Sequence, residues 1–423
     1  MSRFMAIFVG IAIVLASDFN DLPAADADFA LRDGDTVVFL GDSLTAARTY
    51  GKYIENFTLL RYPDRKIRFV NSGKGGDTAD GSLQRLDRDV FAHQPTVLFV
   101  MFGTNDIGWG VYADDEHKQR YLNAIRTIVL KCKERDVRVY VCSEPVTAAD
   151  PHKSEESFLQ KMCDEGMALS KSLGGEAIDV QRSMREIQKR VWAANEPIKE
   201  ESKKNTMHLA DGTHLNELGQ LAVAYAILKG LGAPADVSSA TLDFAEAKSI
   251  ETQSCAVTEV VRNDDRLEFT RLDEGLPFNH GIFFALHFRF VPVLSELNRY
   301  MLCVKNLPQG RYDVSADGRA ITTLSAEQLA NGVSIATSTA NAWEPGGPWN
   351  AQADVLVPLT NSRHDLATAS VLANAYLTKS DLPRELAQKS AMTNEQLEET
   401  QRLVARPKPY RFVIEPAREK PTK

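Results

Sequence analysis

A serine within residues 35–47, DTVVFLGDSLTAA, has the surroundings of a nucleophile. Residues 36–40 are all apolar or β-branched, which is typical of a strand covered on both faces. A sharp turn at residues 41–43 follows, and a helix is expected to begin near Leu44. Ser43 then lies between a strand and a helix N-terminus, where open α/β sheets bind ligands and free N–H groups favour negative charge. Ser43 is predicted either to attack a carbonyl or merely to cap the helix, as serine often does.

Two further polar segments follow predicted strands. A glycine-rich loop ending at Gly76 follows the strand at residues 67–70, and Asn105 follows the strand at residues 96–102. The carboxyl ends of parallel strands lie along one edge of a sheet, so these groups can converge on Ser43. A serine nucleophile needs donors for the oxyanion that forms. The backbone N–H of a glycine, the Asn105 amide and the Ser43 N–H are the candidates.

The same chemistry needs a base, and histidine held by a carboxylate is the usual one. Among eight histidines, His214 stands out because Asp211 precedes it by three residues and a helix follows. This spacing allows Asp211 to accept from one imidazole nitrogen while the other faces Ser43. The alternative is a structural role, which a single histidine at a helix start takes more often. His208 is the nearest rival and lacks a carboxylate at a comparable spacing.

Several residues beside these groups are candidates for bracing or for flanking a substrate. Asp42, Asp77 and Asp106 are expected to brace the loops through backbone hydrogen bonds. Asp106 is also a candidate for contact with the substrate, together with Trp109 and Tyr112, which follow Asn105. Two tryptophans of the second half, Trp343 and Trp349, are candidates for a sugar-stacking surface. For each aromatic residue the alternative is simple packing, which is the favoured interpretation.

The elements that would position these residues alternate between strand and helix. The sequence predicts strands at residues 36–40, 67–70, 96–102, 137–142 and 176–180, and helices at 44–60, 80–92, 121–134, 155–173, 183–194 and 215–231. This alternation predicts a parallel sheet covered on both faces. From residue 235 the pattern changes to short strands at 257–261, 266–271, 302–305, 312–316, 319–323 and 410–414, with helices at 326–330, 367–377 and 394–405. A β-rich second domain, residues 235–423, with a helical insertion is expected.

Composition limits the class of protein. The chain has 423 residues, 43% apolar and 25% charged, which suggests two or three globular domains. Its net charge of -8 gives no electrostatic reason to expect nucleic acid. The five cysteines are not spaced like a zinc or redox pair, and they are predicted to be small buried residues. No metal or organic cofactor is expected.

The first residues predict export. Arg3 precedes an apolar run, residues 4–16, that ends in small residues and is short for a bilayer span. Residues 1–16 are therefore interpreted as a signal peptide, with residues 17–34 as a linker, and the protein as secreted or periplasmic. The alternative is an uncleaved anchor.

Four motifs together resemble the SGNH hydrolases, also called GDSL esterases/lipases. They are GDSL at 41–44, NSGKGGDT at 71–78, GTND at 103–106 and DGTH at 211–214. The resemblance covers about residues 35–232 and implies a flavodoxin-like three-layer α/β/α fold with strand order 2-1-3-4-5. It implies that Ser43 is the nucleophile, that Gly76 and Asn105 are oxyanion donors, and that Asp211 and His214 complete the triad. The family's spacing favours Gly76 over Gly75.

The resemblance and the residues together predict a secreted serine esterase. Its expected substrates are short-chain acyl esters, above all O-acetyl groups on carbohydrate. No family is recognised for the second domain, although residues 307–319 look like accessory segments of secreted bacterial carbohydrate-acting proteins. The alternatives are an O-acyltransferase, a lipase or lysophospholipase with the same site, and a non-catalytic cell-surface binding protein. Stable membrane insertion after signal cleavage is not expected.

Overall fold

The computed structural model describes residues 29–418. The predicted signal peptide, and residues 17–28 of the predicted linker, lie outside the described residues. Within the described part of the chain, no helix combines the length and the apolar character that crossing a bilayer requires. All five cysteines are free thiols, and three of them are buried: Cys132, Cys142 and Cys163.

The first half of the described chain is built on a five-stranded parallel sheet with the order β2-β1-β3-β4-β5. The strands are β1 (Thr36–Gly41), β2 (Arg68–Gly73), β3 (Val97–Met101), β4 (Arg138–Cys142) and β5 (Glu176–Ile178). Val37 and Phe39 of β1 face one hydrophobic core, while Val38 and Leu40 face the other. This two-sided burial explains the unbroken apolar run and confirms the predicted fold class.

Helices cover both faces of this sheet. They are α1 (Ser43–Ala46), α2 (Thr49–Arg61), α3 (Ala79–Ser82), α4 (Leu86–Asp89), α5 (Asp115–Lys133), α6 (Phe158–Ser172), α7 (Val180–Asn195) and α8 (Glu217–Gly230). The core residues of α2, α7 and α8 belong to one cluster, and those of α5 and α6 belong to the other. The sandwich therefore has three layers.

Two predicted helices are interrupted. The helix expected at residues 44–60 breaks at Arg48, which has a left-handed backbone (φ 64°) between α1 and α2. The helix expected at residues 80–92 is a series of short α and 3-10 turns. Within this segment the Arg85 side chain points inward and donates to the Asp77 carboxylate and the Ser72 carbonyl oxygen. Its guanidinium is buried.

The second half of the chain is β-rich, as predicted. Its strands are β6 (Asp236–Asp243), β7 (Lys248–Gln253), β8 (Cys255–Asn263), β9 (Arg266–Asp273), β10 (Arg299–Lys305), β11 (Arg311–Ala316), β12 (Arg319–Ser325), β13 (Val333–Ser334) and β14 (Tyr410–Pro416). They form two sheets with the orders β13-β10-β6-β7 and β12-β11-β14-β9-β8. Strands β6, β7 and β13 were not predicted: β6 and β7 are rich in polar residues, and β13 has only two residues.

A helical hairpin is inserted before the last strand. The helices of this region are α9 (Val293–Glu296), α10 (Ala326–Asn331), α11 (Pro348–Tyr376) and α12 (Leu382–Ala405). The hairpin of α11 and α12 is longer than predicted in both arms. In the part of α11 that was not predicted, buried polar residues such as Thr360 interrupt the apolar periodicity. The hairpin and the β-rich region share a continuous core with the α2 and α8 face of the sandwich.

Candidate active site

Ser43 is the first residue of α1, directly after the carboxyl end of β1. The helix cap is Asp42 rather than Ser43, since an Asp42 carboxylate oxygen accepts from the Leu44 N–H at 2.9 Å. The Ser43 hydroxyl is therefore not consumed by capping. The glycines beside it permit a close approach of neighbouring backbone. A Cβ on Gly41 would lie 2.1 Å from Thr45 Oγ1, and one on Gly73 would lie 2.2 Å from the Ala46 nitrogen.

The structure brings Ser43, His214 and Asp211 into one hydrogen-bonded chain. Ser43 Oγ lies 2.9 Å from His214 Nε2, and His214 Nδ1 lies 2.7 Å from Asp211 Oδ2. Both contacts are within the reach that proton transfer requires. His208, the rival histidine, is buried elsewhere and its Nε2 bonds the Val146 carbonyl oxygen at 2.8 Å.

The loop that carries His214 is shaped by its own sequence. Asp211 Oδ1 accepts from the Thr213 and His214 N–H groups, each at 2.9 Å, which folds residues 211–214 into a tight turn. Gly212 occupies the left-handed backbone region (φ 71°) that this turn needs. Asn216 then caps α8 by accepting from the Gly219 N–H at 3.1 Å. The predicted spacing of acid and base is thus a local structure, followed directly by a helix.

Hydrogen bonds fix the charge of Asp211. The Thr213 N–H, the His214 side chain and the His214 N–H lower the Asp211 pKa to about 2, although the carboxylate is partly exposed. Asp211 is consequently an anion at neutral pH. It can hold the imidazole through Nδ1 and stabilise an imidazolium when one forms.

The predicted glycine donor lies on an exposed turn after β2. Gly76 is exposed and has φ 72°, and a Cβ placed on it would touch nothing within 4 Å. Within residues 29–418, its N–H donates to no backbone or side-chain acceptor of the protein. Asn71 holds the base of this turn by donating to the Thr45 carbonyl oxygen at 2.7 Å and accepting from the Gly73 N–H at 3.1 Å.

The Asn105 amide is held on three sides. Its Nδ2 donates to Asp42 Oδ2 and to the Asp77 carbonyl oxygen, both at 3.0 Å. Its Oδ1 accepts from the Trp109 indole N–H at 2.9 Å. These contacts fix which end of the amide carries the nitrogen. They also engage both N–H groups, so an oxyanion would have to take over or share the hydrogen now donated to Asp77.

Asp42 and Asp106 brace the site from within. Asp106 Oδ1 accepts from the Ala79 N–H at 2.9 Å. Only 8% of Asp106 is exposed, so the structure does not support the prediction that it flanks a substrate. Burial raises the Asp106 pKa to about 7 and the Asp42 pKa to about 6, the latter against the opposing Leu44 N–H. The backbone hydrogen bonds from Ala79 to Asp106 and from Leu44 to Asp42 agree with the expectation that these aspartates brace loops.

The aromatic residues predicted to contact a substrate differ in exposure and in the residues that they contact. The Trp109 ring is 52% exposed and lies 5.8 Å from the His214 ring, so it borders the open side of the site. Tyr112 is exposed and stacks on His117 at 5.1 Å. Trp343 is 74% exposed and packs edge-on against Phe283. The surface role predicted for Trp349 is wrong, because its ring is fully buried and its indole N–H donates to the Ala336 carbonyl oxygen.

Sequence reasoning missed two charged residues of the site. Arg85 is buried and joins the first two loops through the Asp77 carboxylate and the Gly41 carbonyl oxygen. Glu144 is fully buried just beyond the carboxyl end of β4. The rule that singled out residues after the first three strands would have found Glu144 after the fourth. No comparable signal marked Arg85, since its helical surroundings predicted an exposed side chain.

Comparison with known proteins finds relatives of the first half of the chain. Residues 39–222 match the model of the GDSL-like Lipase/Acylhydrolase family. An acetylxylan esterase of Geobacillus stearothermophilus is 25% identical over 225 residues, which cover 47% of this chain and 94% of that protein. The uncharacterized lipoprotein YqeF of Bacillus subtilis (strain 168) is 36% identical over 81 residues, or 18% of this chain and 33% of the lipoprotein.

A solved structure extends the fold comparison to the second half. A gut microbial diltiazem-metabolizing enzyme superposes with a TM-score of 0.78 at 21% identity, covering 92% of this chain and 98% of the other. The two chains therefore share the whole arrangement of sandwich, β-rich region and hairpin. Residues 39–222 form a GDSL-like lipase/acylhydrolase domain, which confirms the resemblance and the predicted class, a carboxylic ester hydrolase.

Proposed function

We propose that this protein is a serine esterase that releases short acyl groups, above all O-acetyl groups, from carbohydrate. The observation that carries the proposal is the chain of hydrogen bonds from Ser43 through His214 to Asp211, at 2.9 and 2.7 Å. A hydroxyl, an imidazole and a carboxylate in this order are the parts that acyl transfer requires.

The proposed reaction begins with a proton transfer. His214 Nε2 takes the proton of Ser43 as Ser43 Oγ attacks the ester carbonyl carbon. Asp211 holds Nδ1–H and stabilises the imidazolium. The imidazolium then protonates the leaving alcohol, and the acyl group remains on Ser43. Water, activated by the same imidazole, releases the acid and restores the hydroxyl.

The oxyanion would be stabilised by three donors. The Ser43 N–H belongs to the first turn of α1, where backbone donors lack helical acceptors. The exposed Gly76 N–H has no protein acceptor within the described residues. The Asn105 amide is the third donor, and the charge of the oxyanion favours it over the neutral Asp77 carbonyl.

The proposed substrate class rests on a relative and on exposed aromatic rings. The acetylxylan esterase aligns over 94% of its own length with this chain. Trp109 borders the site, and Trp343 presents a largely exposed face. Exposed rings of this kind suit the apolar faces of sugars. Location outside the cytoplasm is proposed on the apolar run at residues 4–16, which lies outside the described residues.

An activity profile tests this function. We expect kcat/KM to be highest for p-nitrophenyl acetate, lower for the butyrate and lowest for the octanoate, with free acetate released from acetylated xylo-oligosaccharides. Ser43→Ala should lower kcat by at least about 10⁴-fold on each substrate, because the nucleophile is lost.

Other outcomes identify the alternatives. A preference for octanoate would favour a lipase, and transfer of acetyl to an added oligosaccharide without release of acetate would favour an acyltransferase. Equal inactivity of the native protein and Ser43→Ala would rule out the esterase.

A further inference from the structure

The residue that the proposed reaction leaves unexplained is Glu144, which lies beneath the loop that carries Asn105. Its side chain is fully buried. Its Cβ would lie 3.0 Å from a Cβ on Gly103, so the glycine of the GTND motif makes room for it. Its backbone N–H points to Cys163 Sγ at 3.5 Å on α6. Glu144 is thus enclosed between the sheet edge, the GTND loop and α6.

This carboxyl group has no cationic partner. Within residues 29–418, neither of its oxygens receives a well-formed hydrogen bond. The polar side chains next to it are those of Asp42 and Thr104. A buried carboxylate without a donor is strongly unfavourable, and two buried carboxylates in contact are worse. A proton held between Glu144 and Asp42 would relieve this repulsion, since a carboxyl group becomes a donor only when it is protonated.

The proton can be assigned to one of the two. Asp42 already accepts from the Leu44 N–H at 2.9 Å and from Asn105 Nδ2 at 3.0 Å, and both contacts favour its charged form. Glu144 receives no well-formed hydrogen bond, and burial raises its pKa well above the ordinary value. In a pair that shares one proton, Glu144 is therefore the better donor and Asp42 the better acceptor.

We propose that Glu144 is a positioning residue that donates its carboxyl proton to Asp42, and thereby keeps the Asn105 amide and the helix of Ser43 in place for the reaction. This inference rests on the proposed function only for its catalytic consequence. Loss of the proton would place two anions against each other. Asp42 would then have to move or take a proton itself, and its hold on Asn105 would weaken.

Other groups that face this pair are weak acids, apart from one base. They are Asp106 on the GTND loop, Cys142 on β4, Cys163 on α6, Tyr50 on α2, Tyr121 on α5 and, acting on Asp42, His214. Burial raises the pKa of each of the two tyrosines and two thiols. Within the described residues, the carboxyl groups of Asp42, Glu144 and Asp106 are not part of a group arranged to hold a metal ion. A proton shared within the pair is one way to relieve their repulsion.

Two substitutions separate positioning from simple filling of space. Glu144→Gln keeps a donor, because the amide N–H₂ can replace the carboxyl O–H. Glu144→Met keeps the volume and removes the donor. With p-nitrophenyl acetate we expect Glu144→Gln to keep kcat within about threefold, and Glu144→Met to lower kcat roughly 10- to 100-fold with little change in KM. Thermal unfolding of each variant shows whether it is folded.

The pH dependence of kcat gives a second readout, which would not change if Glu144 had only a packing role. In the native protein kcat should fall on the alkaline side as Glu144 ionises, whereas Glu144→Gln should keep its activity there. If Glu144→Met retains full kcat, or if Glu144→Gln loses as much as Glu144→Met, the proposal is wrong. Should Glu144→Met not fold, identical alkaline limbs for the native protein and Glu144→Gln would overturn it.

A third readout does not depend on activity. The infrared difference between the native protein and Glu144→Gln at pH 7 should contain the C=O stretch of a protonated carboxylic acid. A difference that shows only an ionised carboxylate would contradict the proposal, even if the esterase function holds. An inactive native protein that shows the acid band would instead count against the function and leave the proton assignment intact.

Discussion

Trp109 stands in an unusual backbone conformation at the edge of the site. Its φ of 58° lies between those of Gly108 (52°) and Gly110 (92°), so three successive residues are left-handed. Such a conformation costs a bulky residue of order 1–3 kcal/mol and persists only where other contacts outweigh it. The compensating contacts point into the site: the indole N–H donates to Asn105 Oδ1, and the ring lies beside His214.

The first prediction at this scale concerns that indole. Trp109→Phe keeps a ring but removes the donor, so the Asn105 amide can rotate. We expect kcat for p-nitrophenyl acetate to fall about 3- to 10-fold, the value of one net hydrogen bond, with KM changed less than twofold. The matched control is Trp192→Phe, which changes an exposed tryptophan on α7 and should leave both constants unchanged. A loss confined to KM would show that Trp109 binds substrate and does not orient Asn105.

Individual residues could be predicted from the sequence when the chemistry is local. Asp211 and His214 are three residues apart and bond through one turn, so their spacing alone suggested the pair. The bonds of Asn105 to Asp42 and Asp77 depend on three loops and were not predictable. Glu144 could have been found by its position after the fourth strand, but nothing in the sequence marks it as a buried carboxyl group without a partner.

At the scale of elements, apolar periodicity predicted where the helices lie but did not show where they are interrupted. Leu44, Ala47, Tyr50 and Ile54 keep a helical spacing across the interruption at Arg48, so the sequence shows one helix where the structure has two. The interruption redirects the chain after Ser43. It allows Thr45 Oγ1 to meet the Tyr50 hydroxyl at 2.9 Å.

A buried polar network fastens the helical hairpin to α2. Arg363 of α11 bonds both carboxylate oxygens of Glu55, while Gln401 of α12 donates to the same carboxylate at 2.8 Å. Arg363 also donates to the Phe69 carbonyl oxygen of β2 at 3.2 Å. The side chains of Arg363 and Glu55 are 7% and 2% exposed. The second half of the chain is thus anchored to the helix that begins just after the Ser43 turn.

Breaking this pair should be costly. Arg363→Met leaves the Glu55 carboxylate buried without its cation, and we expect the free energy of unfolding to fall by about 3–5 kcal/mol in urea titrations at pH 7. Arg384→Met is the control on the same hairpin. Its exposed pair with Asp381 should change stability by less than about 1 kcal/mol. Similar losses in the two variants would contradict the role of the buried network.

The same pair predicts a dependence on pH. Burial alone would raise the Glu55 pKa, but Arg363, His364 and Gln401 outweigh it and lower the pKa from 4.5 to about 2. A carboxylate whose pKa is lower in the folded state stabilises the protein above its unfolded pKa. This contribution should disappear as the pH falls from 4.5 towards 2. Urea titrations at pH 7 and pH 3 measure how much the free energy of unfolding decreases in acid. This decrease should be smaller in Arg363→Met than in the native protein.

At the scale of the whole molecule, the two halves are folded against each other. Phe278 and Phe284 of the second half pack on Tyr53 of α2, and the Leu276 N–H donates to the Leu60 carbonyl oxygen at 2.7 Å. A parallel sheet was predictable because each of its strands is followed by its own helix. The partners of β14 were not, since the last strand inserts between β9 and β11, far away in sequence.

The proposed nucleophile is likewise a property of the folded molecule. Ser43 and His214 are 171 positions apart in the sequence, and the fold of the first half of the chain brings them together. A reactive serine should therefore exist only while the chain is folded, and only one serine should be affected. Selective covalent labelling addresses both points.

The most direct measurement is the site of reaction with a fluorophosphonate, in which serine oxygen displaces fluoride from phosphorus and the base takes the proton. Mass spectrometry of the native protein should find one adduct, on the peptide that contains Ser43. The adduct should be absent after unfolding in urea and in Ser43→Ala, and should form at least about 10³-fold more slowly in His214→Ala. Labelling of another serine, or of none in the folded native protein, would contradict the account.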